Sequence, residues 1–369
     1  MPKGAKIRAI GVNEWRTPPQ REQKTLEGEM ASASPQEDPK KKDTKDLQIA
    51  VTSVMFNPDD GLIYCGLTAI NNDLLYTYDR KTGEFTCRNY KKIAEPFEVK
   101  IHRSLILMDG LVYGATACLH GANERLEAPG GRLFRYDPKT GEYETLGRPV
   151  PYDYIQSIAI DKKRKVVFGN NYPVNYFWSF DLKTREAKNL GLAEMPHGMF
   201  CDRDGNTWGV IADSQRLFKY NAEEGFTKFD FTLPKFNRML MAMENLFQPT
   251  DEDTIYVGTQ VGAVLALDPK KVEFTYLGKP CRDNRIHGFM QRKDGLIYGV
   301  GGEDERCEVF AYDREAKKFM VLGHMHDKQR NMDAARPHNV TITDDGVIYT
   351  GETDNPGRSG YMWEIVIED

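Results

Sequence analysis

Two short phrases recur along the chain and constrain its fold more than any other feature. The first is an Asp-Gly pair followed by an apolar run that ends in Tyr-Gly, Trp-Gly or Tyr-x-Gly. Clear copies begin at Asp60, Asp109, Asp204, Asp294 and Asp345, and degenerate copies lie at 165–169 and 253–258. The second phrase is an aromatic or apolar residue followed by Asp, as at Tyr78-Asp79, and it leads into a polar turn. Together the phrases define seven repeats.

An Asp-Gly pair between short β-branched or aromatic runs is a strong signal for a tight hairpin, whose primed turn needs positive φ at both central residues. Each repeat therefore predicts four antiparallel strands. Seven such units predict an all-β fold, a seven-bladed β-propeller of four-stranded blades.

The seventh repeat reaches the last residue after its third strand, so the blade needs a strand from elsewhere. We predict that Lys6–Val12 supplies the outer strand and closes the ring. The predicted organisation is an N-terminal segment at 1–24, a flexible charged linker at 25–47, and the propeller at 48–369. The alternative is a disordered tail and an open seventh blade.

Composition excludes several classes of function. The formal net charge of -5 argues against a general nucleic-acid binder. No apolar run approaches the roughly 18 residues of a membrane span. The first residues lack the apolar stretch of a secretory signal, and six scattered cysteines fit reduced thiols. We therefore expect a cytoplasmic protein, or a secreted one if the chain is a trimmed piece, and a monomer or homo-oligomer.

Histidines gather at one predicted position of the repeat. Four of the seven begin an innermost strand, and His120 lies in the long loop of the second repeat. In a propeller these five side chains would face one funnel around the axis. The alternative is that a histidine at a strand start packs the repeat, with its imidazole bound to a neighbouring carbonyl. The four strand-start residues are His102, His197, His287 and His338.

Arginines and tyrosines are predicted on the same face. Guanidinium groups bind carboxylates bidentately, so arginines around a concave site imply an anionic ligand. Tyrosine rings there would stack on sugars or supply a hydroxyl for proton transfer. The alternative for any one arginine is an exposed loop residue. The candidates for substrate binding are Arg125, Tyr154, Arg238, Arg285, Arg336 and Arg358.

Over roughly residues 48–369 the repeat resembles the seven-bladed propellers of polysaccharide lyases that cleave next to a uronic acid, such as ulvan lyases and rhamnose-glucuronate lyases. It is more distantly similar to oligogalacturonate lyase and streptogramin lyase. The matching residues are His102 in KIHRSL, His120 in CLHGAN and Tyr172 in GNNYPVN. The resemblance implies that these three are catalytic. An arginine expected just after the third blade is missing from 189–197.

These patterns lead to one main hypothesis and two alternatives. The main hypothesis is a carbon–oxygen lyase that cleaves an acidic carbohydrate by β-elimination and requires no cofactor. The first alternative is an enzyme on another small anion, with a divalent metal (Mn, Ca or Zn) held by His197, His287 and His338. The second is a non-catalytic propeller that binds a glycan or a protein.

Overall fold

The computed structural model describes residues 2–14, 16, 48–118 and 127–368. The predicted linker at 25–47 lies outside these residues. The first strand is β1 (Gly4–Ile10). The first repeat forms a four-stranded antiparallel sheet, followed by a 3-10 turn at Tyr90–Lys92; its strands are β2 (Ile49–Asn57), β3 (Leu62–Ala69), β4 (Leu75–Asp79) and β5 (Glu84–Cys87).

The second repeat forms a sheet of the same kind, whereas the third and fourth repeats share one seven-stranded sheet. The second comprises β6 (Leu105–Met108), β7 (Leu111–Ala115), β8 (Leu133–Tyr136) and β9 (Tyr143–Gly147). The shared sheet comprises β10 (Tyr154–Asp161), β11 (Val166–Tyr172), β12 (Tyr176–Asp181), β13 (Ala187–Glu194), β14 (Thr207–Ile211), β15 (Arg216–Asn221) and β16 (Gly225–Thr232).

The last three repeats form four-stranded sheets and carry two short hairpins. A hairpin, β17 (Lys235–Phe236) and β18 (Met239–Leu240), precedes the fifth repeat. That repeat forms β19 (Met243–Phe247), β20 (Ile255–Thr259), β21 (Val264–Asp268) and β22 (Glu273–Gly278). The sixth forms β23 (Ile286–Gln291), β24 (Ile297–Gly301), β25 (Glu308–Asp313) and β26 (Lys318–His324), then the hairpin β27 (His326–Asp327) and β28 (Met332–Asp333). The seventh forms β29 (Pro337–Ile342), β30 (Ile348–Glu352) and β31 (Met362–Glu368).

The N-terminal strand completes the last sheet, in the order β1-β31-β30-β29. It pairs antiparallel with β31 from Gly4 opposite Glu368 to Ile10 opposite Met362. The prediction of a closing N-terminal strand is confirmed, with bounds two residues earlier than the predicted Lys6–Val12. The first and last repeats also contact each other directly, since the Val54 backbone N–H donates to Asn339 Oδ1 at 2.8 Å.

The all-β propeller class is confirmed, but the fourth repeat departs from the four-stranded plan. Residues 196–206, where its innermost strand was expected, form no strand; Gly198 alone makes a parallel bridge to Asn245. In its place, β13 of the third repeat pairs with β14. Because two repeats share one sheet, the number of seven blades remains a prediction.

The Tyr-Gly phrase has a packing reason. A Cβ at Gly114, Gly169 or Gly299 would overlap an aromatic ring of the adjacent strand, contributed by Phe134, Trp178 and Phe310. Those rings are buried in the apolar clusters of the sheets. The glycine therefore makes room for an aromatic side chain that contributes roughly 1.5–3 kcal/mol of burial.

The Asp-Gly turns differ from the prediction in their geometry. Only the Asp109-Gly110 turn has positive φ at both residues; at the other four clear copies the glycine alone is positive, as at Gly61 (φ 73°). Such turns are built on a type I geometry that ends in a left-handed glycine. The predicted hairpins form at Asp60, Asp109, Asp294 and Asp345. At Asp204 no hairpin forms, because that turn lies in the stretch 196–206 that contains no strand. Among the residues described, no helix has the length and apolar composition that a membrane crossing requires.

Candidate metal centre and active site

Five innermost strands share an irregularity that aims side chains out of the sheets, whereas β6 pairs without it. The pairing of β2, β10, β19, β23 and β29 with the next strand shifts register near its start. A bulge of this kind leaves one residue outside the ladder and re-aims its side chain. The residues skipped by the shifts are Thr52, Gln156, Glu244, His287 and the pair His338-Asn339.

Side chains next to these bulges tie neighbouring repeats together. The Ser104 backbone N–H donates to Ser53 Oγ at 3.0 Å, and the Met199 N–H donates to Ser157 Oγ at 2.9 Å. Both acceptors are completely buried. The hydrogen bonds fix the strand starts relative to each other, so the residues between them form a rigid group. We call His102, Arg103, His197, Glu244, His287 and His338 the axial cluster.

Three imidazoles of the axial cluster meet. The ring centroids of His102 and His338 lie 4.4 Å apart, and those of His102 and His197 lie 4.9 Å apart. One nitrogen from each of His102, His197 and His338 lies within 4.8 Å of the other two. His102 and His338 are almost completely buried, while His197 keeps 19% of its side-chain surface exposed.

The partners of the imidazoles determine which nitrogens carry lone pairs. His102 Nδ1 donates to the Gln156 carbonyl at 2.5 Å, and His197 Nδ1 donates to Glu244 Oε1 at 2.9 Å. Each neutral ring therefore keeps a lone pair on Nε2. His338 Nε2 lies 2.5 Å from His102 Nε2, and His338 Nδ1 has no hydrogen-bond partner among the residues described.

A buried ion pair borders the three imidazoles. Arg103 Nη2 lies 3.2 Å from Glu244 Oε1 and 3.5 Å from His287 Nδ1, with 1% and 0% of the Arg103 and Glu244 side chains exposed. His287 Nε2 donates to the Gly302 carbonyl at 2.9 Å. Within the described part of the chain, Arg103 Nε, Arg103 Nη1 and Glu244 Oε2 have no partner.

Burial sets the protonation of this cluster. It holds the pKa of His102 and His338 well below the ordinary value, and nearby cations, Lys100 for His102 and Arg103 for His338, act in the same direction. Burial lowers the pKa of His287 to about 3, and Arg103 adds to the effect. Burial also lowers the pKa of Arg103 to about 10, which leaves the guanidinium charged at neutral pH. These histidines are therefore neutral, the form that binds metal ions.

The acidic member of the cluster behaves in the opposite way. Burial alone would raise the pKa of Glu244, yet His197 and Arg103 hold that pKa well below its usual range. The carboxylate is charged and orients His197. Lys100, two residues before His102, has its pKa lowered to about 8 by burial.

The structure brings together four of the sequence-predicted histidines, with a different grouping. The three imidazoles that converge are His102, His197 and His338, whereas His287 is bound to a carbonyl and to Arg103. Its contact with Gly302 O matches the alternative of a packing histidine. His120 and Arg125 lie outside the described residues.

The two predicted tyrosines form a pair at the start of β10 and the end of β11. Tyr154 and Tyr172 lie opposite each other in the ladder, with ring centroids 5.2 Å apart. Tyr154 is buried, and Tyr172 is 44% exposed. Tyr154 is two residues before Gln156, whose carbonyl accepts a hydrogen bond from His102. The tyrosine pair is therefore close in sequence to a residue that contacts the axial cluster.

The predicted arginines separate into three environments. Arg285 Nε and Arg336 Nε both contact Glu303 Oε1, at 3.3 and 2.9 Å, and both remain partly exposed. Arg358 is buried and donates to both carboxylate oxygens of Glu352 at 2.8 Å. Arg238 is exposed between β17 and β18. Arg285 also lies close enough to His287 to lower the pKa of that imidazole.

Local sequence patterns did not predict Arg103, Glu244 and Lys100. Glu244 occupies the same place at the start of an innermost strand as the histidines, so aligning the seven strand starts would have found it. Arg103 and Lys100 flank His102 in KIHRSL. The directions of the Arg103 and Lys100 side chains depend on the irregular backbone at the start of the second repeat, where Arg103 adopts a positive φ of 44°. Local sequence patterns do not predict such a backbone conformation.

The three converging imidazoles offer the nitrogen donors that a divalent transition metal prefers. His102 Nε2 and His338 Nε2, now 2.5 Å apart, would have to separate for both to bind one ion. Metal-binding histidines commonly donate their second N–H to a carbonyl or a carboxylate, as His102 and His197 do. The unpartnered buried nitrogen of His338 is further evidence of an incomplete donor set. Nitrogen donors favour Zn, Mn, Fe or Ni over Ca²⁺, which prefers oxygen ligands.

Fold and site together define a β-propeller with a polar centre on its axis. No protein-family model matches the chain, and no curated protein matches it. Among solved structures, the chain is similar to a streptogramin B lyase, with a TM-score of 0.65 and 10% identity over 99% of this chain and 98% of that one.

Two further solved structures show the same fold. One is a catalytically inactive histidine-to-alanine variant of virginiamycin B lyase from Staphylococcus aureus with quinupristin: TM-score 0.63, 10% identity, 98% of this chain and 99% of that one. The other is the extracellular domain of a hybrid two-component system from B. thetaiotaomicron, with a TM-score of 0.61 and 14% identity over 85% of this chain. This chain spans 38% of the length of that protein. At such identities the likeness establishes the fold alone.

Proposed function

We propose that this chain is a carbon–oxygen lyase that cleaves a uronate-containing oligo- or polysaccharide by β-elimination, with a divalent metal at the axial cluster. The observation that carries the proposal is the convergence of His102, His197 and His338 within 4.8 Å beside a charged, buried Arg103. The fold is shared with propeller lyases, one of which is inactive once a histidine is replaced.

Elimination has three requirements that the site can meet. The substrate carboxylate must be held and its charge balanced, the C5 proton removed, and the departing O4 protonated. The electron pair of the C5–H bond forms the C4=C5 double bond as the C4–O4 bond breaks. Preorganised cations are usually the largest contribution to such a reaction. A divalent metal held by the three histidines would supply this charge next to the carboxylate.

The remaining roles fall to residues around the cluster. Arg285 and Arg336, which share Glu303 and remain partly exposed, orient the carboxylate. Lys100 is the base: its lowered pKa of about 8 leaves part of the amine neutral near physiological pH. Tyr172, exposed at the end of β11, protonates O4. His102 changes from the predicted base to a metal ligand, because its Nδ1 is bound to Gln156 O and its Nε2 faces His338.

The test measures metal content and elimination separately. Purified protein, stripped with a chelator and reloaded with Mn²⁺ or Zn²⁺, should bind one equivalent by elemental analysis. It should also produce the ultraviolet absorbance of a conjugated double bond from acidic oligosaccharides. His102→Gln and His338→Gln should lose the metal and about 10²-fold or more of the rate, whereas His287→Gln should keep the metal. Lys100→Met should remove the rise of kcat/KM through pH 8 or so.

Two results would overturn parts of this proposal. Metal retained in both His102→Gln and His338→Gln would refute the metal centre. Stoichiometric metal without product from any uronate would refute the reaction. Cleavage of quinupristin under the same conditions would then identify a lyase of a different substrate class.

A further inference from the structure

A cavity is lined by residues that are close in sequence to members of the axial cluster. It has a volume of about 220 Å³ and opens between the third, fourth and fifth repeats. Two of its walls, Met195 and Met243, precede His197 by two residues and Glu244 by one. A larger cavity of about 1070 Å³ lies at the Asp-Gly turns of the last repeats, and none of the candidate site residues that the structure describes lines it.

The lining of the smaller cavity has a particular chemistry. Its polar side chains are mostly neutral amides, joined by one carboxylate, Glu194, and no arginine or lysine of the described residues lines it. Amides donate and accept hydrogen bonds, as sugar hydroxyls do, whereas a carboxylate ligand would meet no cation and would be repelled by Glu194. The amide residues are Asn170, Asn175, Gln215 and Gln260.

One of these amides, Asn170, has a buried oxygen that is free to accept a hydrogen bond from a ligand. Asn170 is 5% exposed, and its Oδ1 has no hydrogen-bond partner within the part of the chain described. A buried acceptor without a partner costs about 1–3 kcal/mol, so a donor from a ligand would relieve that cost. Asn170 and Tyr172 are two residues apart on β11 and therefore project from the same face.

From this geometry we infer that the cavity is a binding subsite for a neutral, hydroxyl-rich sugar next to the anionic site. The inference rests on the proposed function. In the proposed reaction, this subsite would hold the leaving sugar beside Tyr172, and the axial cluster would hold the uronate. The substrate class is then an oligosaccharide in which a uronate is linked through its O4 to an uncharged sugar. A chain made only of uronates fits this pair of sites poorly.

The experiment reports occupancy without needing turnover. Protein labelled with ¹³C at the methionine methyl groups is titrated with D-glucose or D-xylose, and with D-glucuronate as the charged comparison. The signals of Met195 and Met243, assigned with leucine variants, should shift with the neutral sugars. The signals of Met55 and Met362, buried in the first and last sheets, should not.

A matched pair of variants tests the location. Ala242→Leu fills the cavity and should remove the methyl shifts, while Ala187→Leu, which adds the same group on the exposed strand β13, should leave them intact. Asn170→Ala should weaken the neutral sugar at least tenfold. The subsite is refuted if no methyl shift occurs at high millimolar sugar, if the shifts survive Ala242→Leu, or if glucuronate shifts these signals more strongly. A lyase test that fails while the methyl shifts appear would reject the reaction and keep the subsite.

Discussion

Two buried arginine–glutamate pairs in this molecule have opposite characters. In the seventh repeat, Arg358 donates to both oxygens of Glu352 and to the carbonyls of Ser359 and Asp333, at 2.8–2.9 Å. Glu352 also accepts from the backbone N–H groups of Ala335 and Tyr361. Among the described residues, no buried nitrogen or oxygen of the Arg358 and Glu352 side chains lacks a hydrogen-bond partner.

The pair on the axis is left incomplete. Arg103 reaches Glu244 through Nη2 alone, and three polar atoms of the two side chains have no partner among the described residues. Unpartnered buried groups are costly, so a fold keeps them where a ligand or a reaction needs them. The comparison indicates that the pair of the seventh repeat serves stability and the axial pair serves function.

The largest effect expected from this comparison is on stability in the seventh repeat. Arg358→Ala leaves the Glu352 carboxylate buried without its cation, which should lower the free energy of unfolding by about 3–5 kcal/mol. Urea denaturation followed by tryptophan fluorescence measures the loss. Arg238→Ala, on an exposed hairpin, is the control and should stay within about 0.5 kcal/mol. A loss below about 1 kcal/mol for Arg358→Ala would show that the interior pair is not structural.

The two pairs also show what the sequence could and could not predict. Repeated Asp-Gly and Tyr-Gly phrases revealed the propeller, because those phrases encode local turns and ring packing. The closing strand was predicted because the seventh repeat has only three strands of its own. Arg358 was assigned to the substrate and Arg103 was missed, since burial and partners depend on how distant repeats meet. The grouping of His102 with His338 comes from repeats two and seven, and no local pattern records it.

An intermediate effect should appear in the pH dependence of stability. The pKa of His287 falls from 6.5 to about 3 on folding, so below pH 6.5 the unfolded chain binds a proton that the folded chain refuses. The free energy of unfolding is therefore unaffected by His287 above pH 6.5. It decreases as the pH falls from 6.5 toward 3, by up to about 1.4 kcal/mol per pH unit. The charged groups that act on His287 are Arg103, Glu244 and Arg285.

Urea unfolding between pH 7.5 and about 5, with a chelator present, measures this slope. His287→Gln keeps a donor for Gly302 O and should flatten the slope by about one proton equivalent. His324→Gln, at a half-exposed surface position, should leave it unchanged. An identical slope in His287→Gln would mean that His287 does not contribute to the acid sensitivity of the protein.

The smallest change in stability is expected where the axial pair is replaced as a unit. Arg103→Met combined with Glu244→Gln removes both charges and the unpartnered Arg103 nitrogens, so the free energy of unfolding should stay constant or rise by about 1 kcal/mol. Metal affinity should still fall about 10–100-fold, because His197 loses the carboxylate that orients it. The same exchange in the seventh repeat, Arg358→Met with Glu352→Gln, should destabilise the protein, since backbone donors lose a charged acceptor. If both double variants lose stability equally, the axial pair is structural as well, and the distinction drawn from its unpartnered atoms fails.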